Sequence, residues 1–233
     1  MKIANANVLI TGANRGIGLA FAKAALARGA NRVYAGARNP DSITLAGVIP
    51  VKLDVNSPAD IAAAVQRAGD VTLVINNAGI AIMGGFMGPD AEDTLRRHLE
   101  TNVLGVLRVS RAFAPVLARN GGGALLNVAS IASFVSSSQL GNYALSKSAV
   151  WSLSNGLRHD LRAQGTRVAT LHMAFVDTDM TQGIEMPKSS PEQIVAQALD
   201  GLEAGKEEIL ADELTRQVKQ GLVSDPPFYL LPR

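Results

Sequence analysis

The segment from Val8 to Gly18 constrains this chain more than any other. Val8, Leu9 and Ile10 form a short apolar β-rich run, and Thr11, Gly12, Ala13, Asn14, Arg15, Gly16, Ile17 and Gly18 follow without a break. A helical pattern then extends over 16–28. Three glycines at a strand-to-helix junction permit a tight turn and leave bare backbone that a pyrophosphate can approach closely. The helix start beyond them offers free N–H groups and the positive end of its dipole. A glycine triplet alone is a weak signal, but its place after the first strand and before a helix is the context that a pyrophosphate-binding turn requires.

The remaining sequence keeps the same rhythm. Apolar runs at Arg32–Ala37, Val48–Leu53, Val71–Ile75, Ala124–Val128, Val168–Leu171 and Glu208–Leu210 read as strands. Helical patterns lie between them near 57–68, 90–118, 141–164 and 191–204. Ser57, Pro58 and Asp60 make a good helix start, with a capping hydroxyl, a proline at the first position and an acid at the third. Leu104, Leu107, Ala114, Val116 and Leu117 mark an apolar stripe interrupted by Arg111. The alternation predicts an α/β fold: a Rossmann-like doubly wound parallel sheet of about seven strands with helices on both faces. No linker or repeat interrupts it, so 1–233 is read as a single domain, with 212–233 as an extended C-terminal tail.

Composition excludes several function classes. With 233 residues, 47% of them hydrophobic, the chain can bury a full core, and a net charge of +2 without any Lys/Arg run gives no support to nucleic-acid binding. Cysteine is absent, so disulfides, thiolate metal sites and cysteine nucleophiles are excluded. His98, His159 and His172 lie far apart in sequence and fit neither a zinc motif nor a Ser-His-Asp triad. Asp177 and Asp179 read as solvated loop acids, and no metal is expected. The N-terminus lacks a long apolar stretch and no window approaches the length of a membrane span, so a cytoplasmic protein is expected.

The end of the second strand bears on the cofactor. Dinucleotide sites that bind an unphosphorylated ribose carry an acid about 20 residues past the glycines. Here Ala37 and Arg38 occupy that place. Arg38 can clamp a 2′-phosphate bidentately and Arg15 can join it, which favours NADP(H); the alternative is two ordinary surface charges. Asp54 either accepts from an adenine amino group or caps the turn before Ser57, and Val55 can pack on the ring. Asn76, Asn77, Ala78 and Gly79 follow the fourth strand as a compact turn suited to backbone passing close to a ribose.

Tyr143 and Lys147 are four residues apart, which on a helix places both on one face. A lysine cation about 4–5 Å from a phenol, at an effective dielectric near 20, favours the phenolate by roughly 3–4 kcal/mol. That would pull the phenol down by about 2–3 pH units and make Tyr143 a competent proton donor. Ser130 lies thirteen residues earlier, with Ser133 as a nearby competitor.

Together, Thr11–Gly18, Asp54 with Val55, Asn76–Gly79, Asn102, Ser130, Tyr143 and Lys147 resemble, in order and spacing, the signatures of the short-chain dehydrogenase/reductase family. The resemblance runs from about Val8 to Leu210. It implies a nicotinamide-dependent oxidoreductase in which tyrosine is the acid/base and serine holds the carbonyl oxygen. Lysine binds the nicotinamide ribose and lowers the tyrosine pKa, and Asn102 positions a water in the proton relay. Val176 and Thr178 match positions expected to meet the carboxamide. One departure stands out: relatives usually carry Pro-Gly after the sixth strand, where this chain has Met173 and Ala174.

The expected reaction is hydride transfer between NADPH and a small-molecule carbonyl or secondary alcohol. Ile80, Ile82, Met83, Phe86, Phe134, Val135, Phe175, Met180, Ile184 and Met186 offer an apolar lining suited to a hydrophobic ketone or aldehyde. A 3-oxoacyl-carrier-protein reductase, docking its partner on Arg96, Arg97 and Arg108, is the second reading. A regulatory NADP(H)-binding protein is the third. The resemblance further implies a homo-oligomer, tetramer before dimer, built on helices near 101–118 and 142–164.

Overall fold

The computed structural model describes residues 1–231. Seven strands form one parallel sheet in the order β3-β2-β1-β4-β5-β6-β7. They are β1 (Asn7–Thr11), β2 (Arg32–Ala37), β3 (Ile49–Lys52), β4 (Leu73–Asn76), β5 (Ala124–Val128), β6 (Arg167–His172) and β7 (Glu208–Leu210). The chain moves outward from β1 to β3, then returns to place β4 against the other side of β1, pairing Val8 with Leu73. The crevice opens at this reversal, beyond the carboxyl ends of β1 and β4.

Alternation along the strands divides the core in two. Val8, Ile10, Leu126 and Leu171 face the side covered by α1 (Gly16–Ala27) and α6 (Pro191–Glu203). Leu9, Val74, Leu125 and Val168 face the side covered by α2 (Pro58–Arg67), α4 (Gly105–Arg119) and α5 (Gly141–Asp160). All of these strand residues are fully buried, which explains why the strands read as continuous apolar runs. Pro50 sits in β3, an edge strand, where a missing N–H costs no ladder bond. The Ser57 hydroxyl accepts from the Asp60 N–H and starts α2 as the sequence indicates. Among the described residues, no helix is long and apolar enough to cross a membrane.

Three expectations need correction. The helix expected over 90–118 is α3 (Ala91–His98), a π turn over Leu99–Leu104, and then α4. The widened turn carries Asn102, whose side chain is bonded across to the Ile80 backbone at both its N–H and its carbonyl. The helix expected to 164 ends at Asp160. The tail from 212 is not simply extended: α7 (Glu213–Gln220) opens it, and short 3₁₀ turns follow at Gly221–Val223 and Phe228–Leu230. Asp212 caps α7 by accepting from the Thr215 N–H, and Thr215 and Val218 are buried one turn apart. Positions 232 and 233 of that expected tail lie outside the described residues.

Candidate active site

Gly12 and Gly16 adopt φ of 66° and 53°, in the left-handed region that a side chain disfavours. Gly18 meets a packing limit instead, since a Cβ there would lie 2.0 Å from the Gly12 carbonyl oxygen. The turn is held from behind. Thr11 Oγ1 accepts from both the Asn77 and Ala78 N–H groups at 2.9 Å, and the Asn77 amide donates to the Thr11 and Gly12 carbonyls. Asn77 thus braces the glycine turn with its side chain, a contact that sequence spacing did not reveal. No side chain caps the first turn of α1 among the described residues, and no acid lies in it. Its leading N–H groups are therefore free to meet an anion.

A cleft of about 540 Å³ runs from this turn to the start of α5. At one end it is lined by Gly12, Asn14, Arg15, Gly16, Ile17 and Gly18, with Arg38, Asp54 and Val55 beside them. Asn77, Ala78 and Gly79 line its middle, and Ser130, Tyr143, Lys147, Val176 and Thr178 its far end. Asn39, Ser42 and Asn56 also reach the cleft near Arg38. They were missed because only their place after β2 and β3 brings them there.

Arg38 stands exposed at the end of β2 and makes no ion pair among the described residues. Arg15 instead pairs with Asp179 across the cleft mouth at 3.0 Å, both side chains being largely exposed. Asp54 Oδ1 accepts from the Asn56 N–H at 2.9 Å, so the turn-capping reading is present in the geometry while the residue still lines the cleft. These residues fit a dinucleotide: a bare glycine cradle, unfilled helix N–H groups and a free guanidinium succeed one another along one groove.

At the far end, α5 carries Tyr143 and Lys147 on one face. Lys147 is buried, and its ammonium donates to the Val128 carbonyl at 2.9 Å and lies 5.6 Å from the centre of the Tyr143 ring. Burial pushes the Tyr143 phenol up to about 12, against a smaller downward pull from the Ser130 hydroxyl. Burial likewise brings the Lys147 ammonium down to about 8. The expected acidification of Tyr143 by Lys147 is therefore corrected for the protein alone. Burial is the dominant influence on each group, and the downward pull on the phenol comes from Ser130 rather than from Lys147.

Ser130 Oγ accepts from the Ala132 N–H at 3.1 Å and faces the cleft. Ser133 turns away and donates to the Lys147 carbonyl, which removes it as a competitor. Asn102 does not line the cleft. It is buried, with Oδ1 accepting from Ile80 N–H at 2.8 Å and Nδ2 donating to the Ile80 carbonyl and to Ser146 Oγ. It ties the loop after β4 to α5. His98, assigned no role from sequence, sits edge-on to Tyr143 with ring centres 6.1 Å apart. Its Nε2 accepts from the Ile82 N–H, so Nδ1 carries the proton donated to the Thr94 carbonyl.

Of the expected apolar lining, Ile80 and Met180 reach the cleft. Phe134 is buried instead, stacked on His172 at 4.5 Å and edge-on to Trp151 at 5.0 Å. His172 Nδ1 donates to the Ser130 carbonyl at 3.1 Å, and burial drives this imidazole down to about 4. Lys219, on α7, lies over the Phe134 and Trp151 rings and pairs with Glu208, which also accepts from the Trp151 indole. Leu157 and Leu161 are core residues.

Residues 6–188 match the family described as short chain dehydrogenase. An uncharacterized oxidoreductase of Schizosaccharomyces pombe is 35% identical over 69% of this chain, and the alignment spans 57% of that relative's length. The 3-oxoacyl-acyl-carrier-protein reductase FabG of Salmonella typhimurium is 29% identical over 86% of this chain and 85% of its own. A crystal structure of a short chain dehydrogenase from Burkholderia cenocepacia, in complex with NADP, is 33% identical. It superimposes over 100% of both chains with a TM-score of 0.94. With its sheet order, glycine turn and Ser130–Tyr143–Lys147 cluster on one cleft, this chain belongs to the short-chain dehydrogenase family.

Proposed function

We propose that this protein is an NADPH-dependent reductase of hydrophobic ketones or aldehydes, working in reverse as an alcohol dehydrogenase. The observation that carries the reading is a single cleft joining the free Arg38 guanidinium and the glycine cradle to Ser130, Tyr143 and Lys147. Arg38, with no acid at the end of β2, suits a 2′-phosphate, and a B. cenocepacia relative binds NADP. Ile80 and Met180, the two expected apolar residues that reach the cleft, favour an apolar substrate.

When bound, the reduced nicotinamide supplies the hydride. Ser130 donates a hydrogen bond to the substrate carbonyl oxygen and polarises it. Tyr143 donates its proton to the same oxygen as negative charge develops there. Its high pKa keeps that proton in place throughout the neutral range. Lys147, still cationic below about pH 8, stabilises the phenolate left behind. Asn102 holds the Ile80 loop against α5 and so keeps the cleft wall in register with Tyr143.

A second reading as a 3-oxoacyl-carrier-protein reductase is supported by the likeness to FabG. The basic patch it needs is partly neutralised, because Arg96 pairs with Glu92 and Asp93, and Arg108 with Glu100. For assembly we favour a homotetramer, or failing that a dimer, formed at α5 and the adjoining turn, where Leu145 and Leu104 remain 39% and 38% exposed. Light scattering in solution measures that state, and a monomer would exclude it.

The activity is tested with a panel of aromatic and aliphatic ketones, aldehydes and an acyl-carrier thioester, following NADPH absorbance. Turnover is expected on the apolar ketones. Tyr143→Phe should lower it by at least about 100-fold with NADPH binding retained. Unchanged turnover in that variant would remove the proposed proton donor.

A further inference from the structure

Between Ser130 and Val176, the cleft wall is made by Met173 and Ala174. Neither residue restricts its own backbone as proline would, so contacts must fix the turn. One comes from the Ser130 side, where the Ile131 N–H donates to the Met173 carbonyl at 2.7 Å. The other comes from Asp212, just before α7. Its Oδ2 accepts from the Ala174 N–H at 2.7 Å, while its Oδ1 accepts from the Thr215 N–H at 2.8 Å and caps the helix. One carboxylate thus orders two separate pieces of backbone. The adjacent Ala211 N–H donates to the His172 carbonyl, so the junction is continuous with β6.

We infer that Asp212 is a positioning residue, holding the Met173–Ala174 wall in place through the Ala174 N–H and coupling the C-terminal helix to the reaction site. The inference rests on reading this cleft as the nicotinamide site. A charge-assisted bond to a backbone N–H is among the stronger single contacts available, and its loss frees a wall segment directly beside Ser130.

The two oxygens have separable roles, and this makes the inference testable. Asp212→Ser retains a short acceptor that can cap α7 but has a single oxygen and cannot also reach Ala174. Asp212→Ala removes both contacts. Thermal midpoints are measured for both variants, and Kd for NADPH is read from the cofactor's own fluorescence well below those midpoints, where both are folded. The expected result is a lowered midpoint in Asp212→Ala, largely restored in Asp212→Ser. NADPH binding should weaken about tenfold in both. An Asp212→Ser protein that binds NADPH as tightly as wild type would overturn the positioning role and leave only a helix cap. Weakening confined to Asp212→Ala, in step with its midpoint, would do the same. Wild-type protein binding neither NADPH nor NADH would overturn the nicotinamide reading and this inference together.

Discussion

Replacing Gly18 by alanine tests whether the glycine turn is the cofactor cradle. The added Cβ would sit 2.0 Å from the Gly12 carbonyl oxygen and 2.6 Å from the Asn77 amide nitrogen, where ordinary contact begins at 3.4 Å. The first of these falls short by 1.4 Å, and the obstructing atom is backbone. Relief requires the start of α1 and the glycine turn to part by about that amount, stretching the bond by which Asn77 braces Gly12. Overpacking of this kind costs about 1–3 kcal/mol, offset by up to about 1 kcal/mol of better helix propensity. The fold should therefore survive with a modest loss on urea unfolding. Binding should suffer more, because a misplacement of about 1 Å can cost roughly 100-fold where geometry is set in advance. Gly156→Ala, in α5 with nothing within 4 Å of the new Cβ, is the control and should be neutral or stabilising by about 0.5–1 kcal/mol. Fluorescence titration with NADPH gives the comparison. A Gly18→Ala protein binding within threefold of wild type would refute the argument.

Arg38→Asp should lower the ratio of NADPH to NADH catalytic efficiency by about 10–100-fold. The thermal midpoint should not change, since Arg38 has no ion-pair partner among the described residues; an unaltered cofactor ratio would sink the phosphate reading. Reduction should hold steady through neutrality and decline as pH rises past about 8, where Lys147 loses its charge, and a rate still climbing there would contradict that role. His172 is held neutral in the native state at about 4, below its value of 6.5 when unfolded. The unfolded chain therefore binds the extra proton first, and stability should fall as pH drops from 6.5 toward 4, by about 3 kcal/mol from this group. Denaturant titrations of wild type and His172→Gln across that window should differ in slope, and parallel curves would discount it.

Period and punctuation made most of the sheet legible from sequence. Val8, Leu9 and Ile10 alternate between two buried faces, and Ser57 and Pro58 announce α2 by local chemistry alone. The π turn at Leu99–Leu104 was invisible, because it accompanies a bond from Asn102 to Ile80, 22 residues away in sequence. The helix at Glu213–Gln220 was lost beside the proline-rich end of the chain, although Asp212 and the first-turn Glu213 are ordinary helix-start residues. Spacing placed Tyr143 and Lys147 on one face. It could not supply the sign of their pKa shifts, which depends on how much surrounding protein excludes water from each. The same holds for Asn77 and Asp212, whose contacts join segments far apart along the chain.

Trp151 is the only tryptophan in the chain, and it is wedged between Phe134, which follows Ser130 by four residues, and Lys219 on the last helix. Its emission is therefore an intrinsic optical reporter on the seam between those two segments, free of background from any second indole. Loosening of the C-terminal helix would be visible in spectra of the unlabelled protein, at concentrations too low for most structural methods.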